Sequence, residues 1–239
     1  MSRYYGFPEY VPVEQKKINN QKQLDKLKKK QGDVKPVIIK GTKLASTWWA
    51  IAWNQNLESY SDYGNRLPRG RSYIRHGAVL DLQIKKGEIE ALVSGSGRSP
   101  YKITITIKPM SKESWQKLIL ACEGKIDSFE ELVAGKFPKA LGEIFMNKKN
   151  GLFPSPKDIH LGCSCPDWAT MCKHVAAVLY GVGVRLDENP ELFFTLRSID
   201  IAQFIEETTV DMAESLLKKA GQRSERIIED EDAMDLFDL

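Results

Sequence analysis

Three of the four cysteines and one of the three histidines fall between positions 163 and 174, in the run Cys163-Ser164-Cys165-Pro166-Asp167-Trp168-Ala169-Thr170-Met171-Cys172-Lys173-His174. Sulfur and imidazole nitrogen are the donors Zn2+ prefers, and four of them around one ion make a tetrahedron. The spacing is compatible with that. Residues two apart on an extended strand point to the same face, so the Cys163 and Cys165 sulfurs can reach one ion. Pro166-Asp167 then favours a turn. In a regular helix Cys172 and His174 would diverge by roughly 200°. Cys172 is therefore expected at or just before a helix start, with His174 in the first turn. Val175, Val178 and Leu179 form the apolar face of the helix that follows. Four protein ligands leave no position for a reactive water, so the expected zinc is structural. Three thiolates leave the bound ion with one net negative charge, which the N–H groups and dipole of a helix start stabilise. A disulfide between Cys163 and Cys165 would be strained. Because the segment has few other core residues, metal is expected to be required for it to fold.

The other chemistry-bearing residues are more dispersed. Arg66, Arg69, Arg71 and Arg75 surround Pro68 and Gly70, and Lys28, Lys29 and Lys30 end a basic run. Both sets suit contacts to nucleic-acid phosphates, with Tyr60, Tyr63 and Tyr73 available for stacking. For the arginines an internal ion-pair cluster with Asp62, Asp81 or Glu58 is the alternative. Residues 1–44 hold eleven Lys/Arg against four Asp/Glu, and residues 187–239 hold five against fifteen. A basic front of this kind points to an anionic partner. Cys122 reads as a buried thiol, His76 as a turn residue and His160 as an alternative or supporting metal ligand. No convincing pair of catalytic carboxylates and no nucleophile with an adjacent base is found, so no enzyme activity is expected.

At 42 % apolar and 28 % charged residues the composition is that of a globular chain. The expected fold class is α+β: an antiparallel β-meander packed with helices, then a ββα-like zinc unit and C-terminal helices. The division expected is a basic arm at 1–43, an α+β domain at 44–152, the zinc unit at 153–186, and C-terminal helices with an acidic tail at 187–239. Within the second segment, Trp48, Trp49, Ala52, Trp53, Leu57 and Tyr60 recur at helical spacing, and this helix is expected to cover one sheet face. Residues 61–70 read as a loop. The expected strands are 72–75, 78–84, 89–93 and 101–107, the last alternating Ile103, Ile105 and Ile107 with threonine. No apolar run is long enough to span a bilayer and no secretion signal opens the chain, so a cytoplasmic location with reduced thiols is expected.

The pattern C-x-C, a short variable stretch, then C-x-H, met by Cys163, Cys165, Cys172 and His174, resembles the SWIM zinc-finger family. The stretches 60–71, 81–84 and 175–187 resemble bacterial SWIM-containing proteins. The resemblance implies a ββα zinc unit, binding to nucleic acid (DNA first) or to protein partners, and association with a superfamily-two helicase of the chromatin-remodelling type. It implies no catalytic activity. A protein adaptor whose zinc unit docks on such a helicase, without touching nucleic acid itself, is the alternative. Met234-Asp235-Leu236-Phe237 near the end partly resembles a sliding-clamp-binding motif but lacks its leading glutamine.

Overall fold

The computed structural model describes residues 11–39, 41–59, 64–97, 99–122, 141–147, 149–204 and 206–207. Its fold is α+β, with a four-stranded antiparallel sheet and several helices. The chain enters through helix α1 (Val13–Gln31), which buries only Asn20 and Leu24 and leaves its lysines in solvent. Residues 35–37 then run along the sheet edge: Val37 N–H donates to the Val79 carbonyl at 3.2 Å, and Leu82 N–H to the Lys35 carbonyl at 3.0 Å. Helix α2 (Trp48–Glu58) and helix α3 (Arg66–Arg75) precede the sheet.

Strands β1 (Val79–Lys85), β2 (Glu88–Val93) and β3 (Tyr101–Ile107) form the meander. Gly87, at φ 69°, makes the first turn in the left-handed region that favours glycine. Ile103, Ile105 and Ile107 are buried while the threonines between them face out, as their alternation requires. After helix α4 (Lys112–Cys122), the short helix α5 (Gly142–Phe145) and a 3-10 turn at Pro156–Asp158, strand β4 (Ile159–Cys163) pairs antiparallel with β3. Sheet order is β1-β2-β3-β4. Helix α6 (Lys173–Glu188) and helix α7 (Leu192–Leu196) follow.

Three expectations are corrected. Residues 66–75 are helical, so Arg66–Gly70 is not loop and Ser72–Arg75 is not a strand. Leu67, Gly70 and Ile74, three and four apart, are the buried face of that helix. The fourth strand comes instead from 159–163, which pairs antiparallel with β3. The tryptophan helix does not cover the sheet: it packs on α6, and α6 lies against the sheet. Trp53 Nε1 donates to the Leu179 carbonyl at 2.9 Å, and Trp49 Nε1 to the Leu186 carbonyl at 2.7 Å.

Helix α6 is therefore central, and every residue from His174 to Gly183 is buried. A helix that is apolar all round must be enclosed on all sides. Small residues permit that enclosure. A Cβ on Gly70 would stand 2.6 Å from the Ala176 Cβ and 3.0 Å from the Ala176 backbone carbon, so α3 reaches α6 at van der Waals limits. A carboxylate at the far end of α6 fixes α2: Asp187 accepts from the Ser46 N–H at 2.8 Å, the Thr47 N–H at 2.9 Å and both hydroxyls. Burial alone would raise the Asp187 pKa, but these hydrogen bonds outweigh it and hold the carboxyl below its ordinary value.

Candidate metal centre

Strand β4 ends at Cys163, opposite Ile103 of β3. The next residue remains attached to the sheet: Ser164 N–H donates to the Lys102 carbonyl at 3.0 Å, and Lys102 N–H to Ser164 Oγ at 2.9 Å. The chain then turns through Pro166 and Asp167 and buries Ala169 and Met171. Cys172, with extended backbone, is the N-cap of α6, and His174 lies in the first turn. This is the position the two-residue spacing demands.

The three Sγ atoms and one ring nitrogen of Cys163, Cys165, Cys172 and His174 all lie within 4.8 Å of one another. His174 Nδ1 stands 3.9 Å from Cys163 Sγ and 3.8 Å from Cys172 Sγ. Zn–S bonds of about 2.3 Å and a Zn–N bond of about 2.0 Å in a tetrahedron put sulfur and nitrogen roughly 3.5 Å apart. The two sulfur–nitrogen distances need to contract by only a few tenths of an ångström, and the whole set, within 4.8 Å, by no more than about 1 Å, so the residues fit a tetrahedral metal. His174 is held between two rings, Tyr101 at 4.6 Å and Tyr73 at 5.3 Å between centroids. A Cβ on Gly95 would lie 3.1 Å from His174 Nε2 and 2.4 Å from the Tyr101 ring, so only glycine lets the β2–β3 loop close here. Nε2 is buried with no hydrogen-bond partner among the described residues, while Nδ1 faces the sulfurs.

The protonation pattern follows from crowding three thiols. A hydrogen bond from Cys163, then those of His174 and the Val175 N–H, lower the Cys172 pKa against the opposing effect of burial. The same bond to Cys172, then burial, pushes the Cys163 thiol up, and burial pushes Cys165 up. One thiolate at a helix start with two protonated neighbours is the metal-free state this geometry favours.

The expectation that this segment has few core residues of its own is corrected. Ligands at both ends stand on elements the protein holds anyway, β4 in the sheet and α6 in the core. Only the turn between them lacks that support. There Arg66 Nη2 meets Asp167 Oδ1 at 3.0 Å, both side chains 18 % exposed, which ties the turn to the start of α3. The sequence reading missed Asp167, Tyr73, Tyr101 and Gly95. Asp167 could have been suspected from its place inside the ligand span, but Tyr73 comes from helix α3, Tyr101 from β3 and Gly95 from the β2–β3 loop, all distant in sequence. His160 is exposed on the opposite side of β4 from Cys163 and is outside the cluster, so it serves neither as ligand nor as ligand support.

The arginines do not form one surface. Arg71 Nη1 pairs with Glu58 at 2.9 Å and with the Tyr180 hydroxyl at 2.7 Å, realising the internal alternative for this residue. Burial and Glu58 push the Tyr180 pKa up to about 12. Arg66 is bound to Asp167. Arg69 and Arg75 are exposed, as are Lys28, Lys29 and Lys30 in the last turn of α1. Tyr60, Tyr63 and Asp62 lie outside the described residues, as does the acidic tail from 208 onward.

Fold and site together define an α+β protein with a Cys3His group able to hold a metal ion. The chain is 37 % identical over 161 residues to the uncharacterized protein Rv2102 of Mycobacterium tuberculosis, a match covering 67 % of this chain and 57 % of that protein. It thus matches less than two thirds of that relative's length. No protein-family model matches the chain, and no solved structure matches it. Among the described residues no helix is long and apolar enough to cross a membrane.

Proposed function

We propose that this protein is a SWIM-type zinc protein that binds nucleic acid, DNA in the first instance, and has no catalytic activity of its own. The convergence of four ligand atoms within 4.8 Å, with C-x-C at a strand end and C-x-H at a helix start, carries the zinc assignment. A complete set of four protein donors closes the coordination sphere, which favours a structural role over water activation. The nucleic-acid reading is supported by exposed cations on α1 and α3, namely Lys28, Lys29, Lys30, Arg69 and Arg75. Arg66 and Arg71 serve the fold, so removing either should disturb the structure before it disturbs binding. A helicase of the chromatin-remodelling type is the partner the family resemblance suggests.

One observation favours the adaptor reading beside this one: Trp168, on the turn between the ligand pairs, is 81 % exposed. Aromatic residues at such positions anchor protein interfaces. The two readings separate in one experiment. Zinc content is measured by mass spectrometry, and labelled single- and double-stranded oligonucleotides are titrated across a salt series. Nucleic-acid binding predicts one zinc per chain and an affinity that falls steeply with salt. One zinc with no oligonucleotide binding at low salt leaves the adaptor reading; no zinc rejects both.

A further inference from the structure

The charges outside the metal centre are unevenly matched. Arg66 and Arg71 have carboxylate partners. Among the described residues Lys17 and Arg75 have none, and Arg75 Nη2 donates to the Thr42 carbonyl at 3.5 Å. Both line one cleft of about 250 Å³ between α1 and the C-terminal end of α3, with His76, Asn20 and Gln21 as its other polar side chains and Gly77 and the apolar Leu24, Ile74 and residues 36–39 making up the rest of the wall. Asn20, 8 % exposed, fixes the two helices here by donating its amide to the His76 carbonyl at 2.9 Å. The acids of α1, Glu14 and Asp25, do not line the cleft, and Asp25 accepts from Gln21 at 2.8 Å. Lys35, on the extended segment that forms the third wall, faces Asp33 at 4.0 Å and is not part of the lining.

We infer that this cleft is a binding site for a phosphate group, held by Lys17 and Arg75 beside the His76 imidazole. A guanidinium fork and an ammonium on the wall of one cleft, with no carboxylate in its lining, favour an entering anion, and a phosphate oxygen array matches the fork. The environment of His76 agrees. Burial, then Lys16, Lys17 and Arg75, lower its pKa, and no acid opposes them. An entering phosphate reverses that balance and draws a proton to the ring. The phosphate is either one of a nucleic-acid backbone or a free one; only the first source rests on the nucleic-acid reading.

The test uses the full-length, zinc-loaded chain. Its three histidines allow the His76 ring resonances to be assigned by NMR. Inorganic phosphate is titrated against chloride at matched ionic strength, and labelled DNA is titrated across a salt series for wild type, Lys17→Ala/Arg75→Ala and, as a charge-matched control at exposed lysines away from α1 and α3, Lys149→Ala/Lys157→Ala. Phosphate should shift the wild-type His76 signals more than chloride does. The cleft variant should lose tenfold or more in DNA affinity relative to the control, and its log–log salt slope should become shallower by about 1.8, at about 0.9 per lost phosphate contact. A His76 shift with no DNA binding by wild type assigns the cleft to free phosphate and rejects the nucleic-acid reading. DNA binding equal in both variants, with His76 unmoved by phosphate, overturns the cleft and leaves that reading standing. The wild-type phosphate titration decides the matter even if the cleft variant does not fold.

Discussion

Replacing Cys172 by serine separates the metal from everything else that residue does. Cys172 is the N-cap of α6, and serine is among the best N-caps, so the helix start should survive. A serine hydroxyl is a poor zinc donor, so the ion should leave. The consequence can be sized from the structure. Cys163 and Ser164 are anchored in the sheet and His174 in the buried helix, which leaves residues 165–171 as the part the ion must order. Fixing about seven residues at roughly 1–2 kcal/mol each costs about 7–14 kcal/mol. A structural zinc contributes about 10–16 kcal/mol, so the two nearly balance. Without metal this turn should open while the core persists. Amide hydrogen exchange is the assay. Peptides covering 165–171 should exchange at least about a hundredfold faster in Cys172→Ser, corresponding to about 2.7 kcal/mol or more of lost protection. Those covering β1–β3 and Val178–Val182 should change by less than about threefold. Chelation of the wild type should reproduce the pattern, and the variant should not respond to chelator. Equal protection of the turn in both proteins would refute the account, and so would loss of protection across the whole sheet.

Two further outcomes follow from charge. Because Cys163 and Cys165 are held protonated without metal while Cys172 is not, zinc binding near neutral pH should release about two protons. Calorimetry in buffers of different ionisation enthalpy measures the number, affinity should weaken as pH falls, and a release near zero would contradict the thiol arrangement. Asp187, whose folded pKa lies below its ordinary value of 3.8, contributes stability that is fully present above that value and is lost as pH falls through the folded pKa. Asp187→Asn should therefore melt lower than wild type near neutrality, and the gap should close in acid; a gap independent of pH would show that the carboxylate charge is not what holds α2.

What could be read from the chain, and what could not, divides by sequence distance. The metal ligands lie close together in sequence, and their spacing alone required Cys172 at a helix start, where the structure has it. The β1–β3 meander was legible for the same reason, since its strands alternate and its first turn carries Gly87. Helix α3 was not. Its polar, proline- and glycine-containing stretch looks like loop, and its helix is packed against α6 at a point where Gly70, a poor helix former, lets it approach Ala176 far along the chain. The same approach brings Arg66 to Asp167, which converts an arginine that looks ready for phosphate into a strut for the metal-binding turn. Arg71 is withdrawn in turn by Glu58 and Tyr180. Residue type therefore identified which side chains could meet an anion, but only the packing of α1 and α3 around the sheet decides which of them still can. That selection leaves Lys17, one of the lysines of the basic front between Lys16 and Lys43, and Arg75, both lining a common cleft.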